Sequence, residues 1–174
     1  LRMQKKDAEE TKAAKKRYAG IYHIGNKEEL EIVGLEAVRG DWTTAAQEFQ
    51  TELLTRLFTN KPYKTFIKDY IAAIRAGKKD TLLVYRKSLR KDLADYTKTT
   101  PPHVKAARLL DTPPTDVVEY YITTAGPEPL QKHTHPLDYD HYITKQIEPI
   151  ANQALATFNI ELKDIVTATK QSTL

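Results

Sequence analysis

The sequence predicts an α+β fold, mostly helical, with an N-terminal β-hairpin and a few short strands. Three observations carry this expectation. Apolar residues recur at helical spacing over 42–57 and again over 66–74. Two β-rich runs lie on either side of a Gly-Asn pair near the N-terminus, and a third run, VVEYYIT, occupies 117–123. No strand–helix–strand rhythm links them, so a parallel sheet is not expected. The length of 174 residues suits one compact domain, or two small lobes, with room for a core.

Taken in order, residues 1–14 are rich in Lys, Glu and Ala without an apolar stripe, and read as a mobile leader. Strands are expected over 18–24 and 30–38, joined by a turn at Gly25-Asn26-Lys27, whose first two residues tolerate positive φ. Asp41 then stands where a short carboxylate can cap a helix. That helix carries Trp42, Ala45, Ala46, Phe49, Leu53 and Leu57 inward and should stop near Asn60. Pro62 suits the first turn of a second helix, with Phe66, Tyr70, Ile71 and Ile74 on one face and Gly77 as its stop. A short strand is expected over 82–85, a short helix over 104–110 after Pro101-Pro102, and a strand over 117–123. Gly126-Pro127 and Pro129 should break that strand. Asp138 can cap a last helix running to about Phe158, with a kink or break at Pro149. Trp42, Tyr85 and Tyr96 are expected in packing.

Charge narrows the function classes. The chain has 27 Lys+Arg against 23 Asp+Glu, net +4, but the balance is uneven. Residues 1–17 carry seven basic and three acidic groups; residues 18–60, three and seven; residues 61–110, 13 and four; residues 111–174, four and nine. The middle segment is therefore +9 over 50 residues. Such a density must be solvated at helix rims or meet an anion, and a phosphate backbone is the natural anion. Zero Cys excludes a disulfide scaffold, thiol catalysis and Cys-based zinc sites. No apolar run approaches the roughly 20 residues of a membrane span, and no secretory signal follows the basic start; no membrane partner and a cytoplasmic setting are expected. The chain opens on Leu1, which predicts a piece of a longer polypeptide.

Glycine-rich phosphate loops, the GxSxG elbow and HExxH are all missing from the sequence. One cluster has metal-ligand chemistry: His133, His135, Asp138, Asp140 and His141 in HTHPLDYDH. Imidazoles and carboxylates at this spacing could hold a divalent cation for a metal-dependent hydrolase. Against that, Asp138 sits where a helix begins and Asp140 in its first turn, where negative charge is favoured. On a helix the two carboxylates point about 200° apart, which is poor for shared ligation. No metal site and no cofactor are expected in the chain itself.

Six blocks then raise a specific resemblance. Lys15-Lys16-Arg17-Tyr18-Ala19-Gly20 opens the hairpin, and Gly34-Leu35-Glu36-Ala37-Val38-Arg39-Gly40-Asp41-Trp42 follows its second strand. Leu83-Val84-Tyr85-Arg86-Lys87, then Pro101-Pro102-His103-Val104-Lys105-Ala106-Ala107-Arg108-Leu109, then Thr123-Thr124-Ala125-Gly126-Pro127-Glu128-Pro129-Leu130 continue the series, which ends at Pro136-Leu137-Asp138-Tyr139-Asp140-His141-Tyr142. In order and spacing these resemble the C-terminal thumb of family B DNA polymerases, nearest to their bacterial polymerase II branch. The resemblance implies a palm–thumb junction hairpin at 15–40, a thumb domain at 41–158 and a C-terminal tail at 159–174. It departs from the family pattern at Gly40, where the family has a second Arg, and in the short link between Leu110 and Val117.

The implied function is to grip primer–template DNA behind the active site of a DNA-directed DNA polymerase that serves replication or repair. The catalytic carboxylates and their two magnesium ions lie outside this sequence, so the resemblance leaves no catalytic residue in the chain and an inactive fragment. Lys16 is implied at the primer's minor groove and Tyr18 on its backbone. Strand alternation sends these two to one face, and Lys15 and Arg17 to the other. Arg39 is implied near the DNA strand, or paired with Glu36 three residues away. Arg86, Lys87, Arg90, Lys91, His103, Lys105 and Arg108 would grip duplex phosphates without reading sequence. Gln171-Ser172-Thr173-Leu174 resembles the start of a peptide that binds a sliding clamp, without its final Phe. A free-standing basic nucleic-acid-binding module remains the alternative.

Overall fold

The structure is a computed structural model and describes residues 18–24, 27–36, 39–158, 160, 162 and 165. The 1–14 leader, Lys15, Lys16, Arg17, the Gly25-Asn26 turn and the 171–174 tail lie outside the described residues.

The hairpin forms from β1 (Tyr18–Ile24) and β2 (Lys27–Val33), antiparallel, with Tyr18 opposite Val33 and Ile24 opposite Lys27. The second strand stops at Val33, short of the expected 38, because Gly34 takes φ +67 and turns the chain. Ala19 and Leu35 are buried there, and Leu30 and Ile32 pack against the same core.

Helix α1 (Thr44–Phe58) is capped by Thr43, whose hydroxyl accepts from the Ala46 N–H at 3.3 Å. Asp41 does not cap, since its carboxylate is held by Arg39. Helix α2 (Lys64–Arg75) ends at Gly77, φ +73, as expected of a left-handed stop. Phe49 of α1 stacks on Phe66 of α2 with ring centroids 5.5 Å apart, and Tyr70 donates to the Ala45 carbonyl at 2.9 Å. Leu53, Ile67 and Ile74 are fully buried between the two helices and the C-terminal segment.

A second sheet has the order β3-β4-β5, formed by β3 (Tyr85–Ser88), β4 (Val117–Thr123) and β5 (Gly126–Pro129). Two expectations change here. The strand placed at 82–85 begins only at Tyr85, because residues 80–82 form a 3-10 turn and Leu83 is buried in the core. The Gly-Pro-Glu-Pro segment continues the sheet where a break was expected. Proline lacks a donor N–H, and an edge strand tolerates that on its outer side. Strand β4 lies in the middle, which suits its β-branched and aromatic content. The short helix α3 (Pro102–Ala107) starts at the Pro pair and stops earlier than Leu110; its Ala106 and Ala107 pack with Val118 and Tyr120 in a small satellite core.

The last helical segment is interrupted as Pro149 requires. It runs as α4 (Tyr139–Tyr142), a π turn at Ile143–Ile147, and α5 (Glu148–Ala156). The Glu148 N–H reaches back to the Ile143 carbonyl, one residue further than in an α-helix. The wider turn relieves the clash a proline ring makes with the preceding turn. Asp138 caps the segment as expected, accepting from the His141 N–H at 3.0 Å.

Candidate nucleic-acid interface

Strand β3 is an edge of its sheet; its first residue, Tyr85, turns inward and the residues that follow lie at the surface. Tyr85 is half-buried, stacked between Tyr120 at 5.3 Å and Tyr142 at 5.5 Å; Arg86, Lys87 and Ser88 are exposed. Charged side chains on an exposed edge also keep it from pairing with another chain. Arg86 faces Glu119 across the ladder and pairs with it at 3.1 Å. Lys87, Arg90 and Lys105 have no ion pair among the described residues.

Lys87 and Arg90 border a cleft of about 450 Å³ whose walls include Asp41, Arg86, Tyr96 and His103. The cleft brings the hairpin-to-helix junction against the β3 ribbon and the start of α3. Besides Arg86, four expected contact residues have structural partners shown in the fold. Lys91 lies over the Tyr96 ring, 4.6 Å from its centroid, and donates to the Asp95 carbonyl. Arg108 donates to the Leu93 and Tyr96 carbonyls at 2.9 and 3.2 Å, tying the 3-10 turn at 93–95 to the end of α3. His103 is buried edge-on against Tyr96, and burial, then the nearby Lys87, lowers its pKa, so it sits neutral at the cleft floor. Arg39 pairs with Asp41 through Nε–Oδ1 at 3.0 Å and Nη2–Oδ2 at 2.7 Å. Glu36 instead accepts from Gln50 Nε2 at 2.8 Å in the interior, which replaces the expected Glu36–Arg39 pair. The Arg39 hydrogen bonds hold the Asp41 carboxyl below its ordinary pKa, and Lys87 adds to the effect. Tyr18 is half-buried at the start of β1.

Sequence reasoning missed Asp41 as a wall of this cleft and Gln146 as the buried partner of Thr43. A trace of Gln146 was present, since it falls four residues after Tyr142 and four before Ile150 on an apolar helix face. The His/Asp cluster does not converge. His133 bonds the Leu130 carbonyl and packs on Tyr121, and His135 bonds Glu128. Asp138 caps, Asp140 pairs with Arg75 at 2.8 Å, and His141 Nε2 meets the Tyr85 hydroxyl at 3.1 Å. Among the described residues no three His, Cys, Asp or Glu side chains come together as metal ligands, so these residues offer magnesium no fitting donor set. No helix among the described residues is long and apolar enough to cross a membrane.

The chain is 44% identical over 153 residues to "DNA polymerase II" of Escherichia coli (strain K12), covering 82% of this chain and 20% of that protein. It is 31% identical over 177 residues to "DNA polymerase 2" of Aeropyrum pernix, covering 92% of this chain and 22% of that protein. A solved structure of the family B DNA polymerase from Pyrobaculum calidifontis superposes with a TM-score of 0.65 at 27% identity, over 82% of this chain and 20% of that one. The chain thus spans about a fifth of the length of these relatives. The family description "DNA polymerase family B" matches residues 13–157, continuous through the hairpin, both sheets and the cationic cleft. The chain belongs to DNA polymerase family B.

Proposed function

We propose that this chain is the thumb of a DNA-directed DNA polymerase and holds primer–template duplex behind the site of nucleotide addition. The observation that carries the reading is the grouping of Lys87 and Arg90, unpaired among the described residues, along one wall of a single cleft, with Arg86 beside them. Such cations bind phosphates of any sequence, and their attraction falls with salt as counterions are no longer released to advantage. Lys105 and Arg39 are further phosphate contacts in this reading, and Lys91, His103 and Arg108 support the grip through their contacts with Tyr96 and the 93–96 backbone. Lys15, Lys16, Arg17 and Tyr18 add the primer-end contacts implied by the family's K-K-R-Y element. Placing a primer end within a fraction of an ångström is what phosphoryl transfer demands of such a grip. The carboxylates and magnesium ions that perform the transfer lie outside this chain's residues. Membership of the family removes the reading of a basic module unrelated to polymerases. A sliding-clamp contact at Gln171–Leu174 rests on the tail sequence alone.

The test is fluorescence anisotropy of the 174-residue chain with labelled primer–template duplex over a salt series. Affinity should fall linearly on a log–log plot, and Lys87→Ala and Arg90→Ala should each reduce the slope by about 1, equally on unrelated sequences. Absence of duplex binding at low salt, or binding insensitive to salt, overturns the proposal.

A further inference from the structure

Residues 89–101 link β3 to α3, and their regular structure is one 3-10 turn at 93–95. Arg90 and Lys91 are neighbours on this link, yet they end in different places. Lys91 is drawn inward: its Nζ lies over the Tyr96 ring, 4.6 Å from the centroid, and donates to the Asp95 carbonyl. Arg90 stays exposed on the cleft wall, without an ion pair among the described residues. Its backbone N–H donates to the Tyr96 hydroxyl at 3.1 Å. One tyrosine thus gathers in one cation and holds the backbone of the other.

Tyr96 is itself anchored on α3. Its ring meets His103 edge-on at 6.2 Å, and its carbonyl accepts from Arg108 Nη2 at 3.2 Å. His103 is buried, and Ala106 and Ala107 of the same helix pack on Val118 and Tyr120 of β4. On the other side of Arg90, the Leu89 N–H donates to the Asp116 carbonyl at 2.7 Å. The Arg90 backbone is therefore fixed from both flanks by bonds to residues outside its immediate neighbours. An arginine on an irregular link must be ordered when it meets a phosphate, which opposes binding; a backbone already fixed has less freedom to lose. The hydroxyl is the only part of Tyr96 that a change to Phe removes, so the ring contacts to Lys91 and His103 can be kept while the tie to Arg90 is cut.

We propose that Tyr96 is a positioning residue: its hydroxyl holds the Arg90 backbone so that the guanidinium meets duplex phosphate from the same cleft as Lys87. This rests on the DNA-holding reading above. Salt dependence separates this role from a direct contact. A neutral hydroxyl that itself touched phosphate would release no counterion, and its loss would lower affinity equally at every salt concentration. A hydroxyl that acts through Arg90 changes how well a cation engages, and its loss makes the salt slope shallower.

Anisotropy of the 174-residue chain with labelled primer–template duplex over a salt series compares wild type, Tyr96→Phe, Arg90→Ala and the double variant. Tyr96→Phe should weaken binding at low salt roughly two- to tenfold, the span of one net hydrogen bond, with a shallower salt slope. On the Arg90→Ala background it should cause no further loss, because the two act as one unit. Amide hydrogen exchange without DNA supplies a second measurement: the Arg90 N–H should be protected in wild type and lose protection in Tyr96→Phe. Unchanged binding by Tyr96→Phe, a parallel shift with the slope kept, or its full loss repeated on the Arg90→Ala background each overturns the proposal. An unprotected Arg90 amide in the wild-type chain does so too, whether or not Tyr96→Phe folds. Failure of the wild-type chain to bind duplex defeats the DNA-holding reading and this inference with it, whereas wild-type binding that Tyr96→Phe leaves untouched defeats this inference alone.

Discussion

Arg39 and Asp41 form a two-point ion pair across a single intervening residue, with Nε–Oδ1 at 3.0 Å and Nη2–Oδ2 at 2.7 Å, at the mouth of the cationic cleft. The carboxylate both aims the guanidinium and neutralises it. Asp41→Ala should remove a negative wall facing Lys87 and release Arg39 for phosphate. Duplex affinity at low salt should rise and the salt slope steepen by about 1. Little change in thermal stability is expected, because both partners are solvent-exposed and such pairs are well screened. Anisotropy over a salt series checks this; a weaker, shallower binding curve would show that Asp41 acts only by orienting Arg39.

Tyr142 is fully buried, and its hydroxyl accepts from the Ile122 N–H at 2.8 Å. Tyr142→Phe keeps the stack on Tyr85 but orphans a backbone donor on the central strand. A loss of about 1–3 kcal/mol in urea denaturation is expected. A loss near zero would mean that water reaches Ile122 N–H once the hydroxyl is gone.

Gly77 ends α2 at φ +73, and a Cβ there would stand 3.1 Å from the Tyr139 hydroxyl, which itself donates to Asp80 at 3.2 Å. Gly77→Ala should cost about 1–2 kcal/mol from the left-handed conformation alone. Displacement of Tyr139 should add to it. Comparing denaturation of Gly77→Ala with Tyr139→Phe separates backbone strain from the lost hydrogen bond.

Glu128 is buried at the end of the sheet and accepts from the Thr134 N–H at 2.7 Å, the His135 N–H at 3.2 Å and the His135 ring. Burial acts to raise its pKa, but the Thr134 and His135 hydrogen bonds outweigh it and leave the carboxyl below its ordinary value of 4.5. A depressed carboxyl stabilises the fold above the unfolded-state pKa, and that stability is lost as pH falls through the folded-state value. Glu128→Gln should therefore be less stable than wild type near neutrality, with the gap closing below pH 4.5. Urea midpoints from pH 7 to pH 3 test this; a constant gap would assign the loss to packing.

The sequence by itself determined the elements whose signals are local. The apolar positions of α1 and α2, the stop at Gly77, the cap at Asp138, the disturbance at Pro149 and the extent of β4 all follow from periodicity or backbone chemistry within a few residues. The polymerase motifs along the chain were readable for the same reason. Tertiary structure decided what depends on partners distant in sequence. Gly-Pro-Glu-Pro became a strand because β4 offered an edge, and Asp41 lost its capping role because Arg39 engaged the carboxylate first. His103 and Arg108 were turned to internal use by the 93–96 turn. Gln146 reaches Thr43 across 103 residues, a pairing no local pattern encodes. Charge density announced an anion partner, but which cations share a cleft was settled only when the sheet edge, the junction and α3 were packed together, because electrostatic reach is set by distance in space and not along the chain.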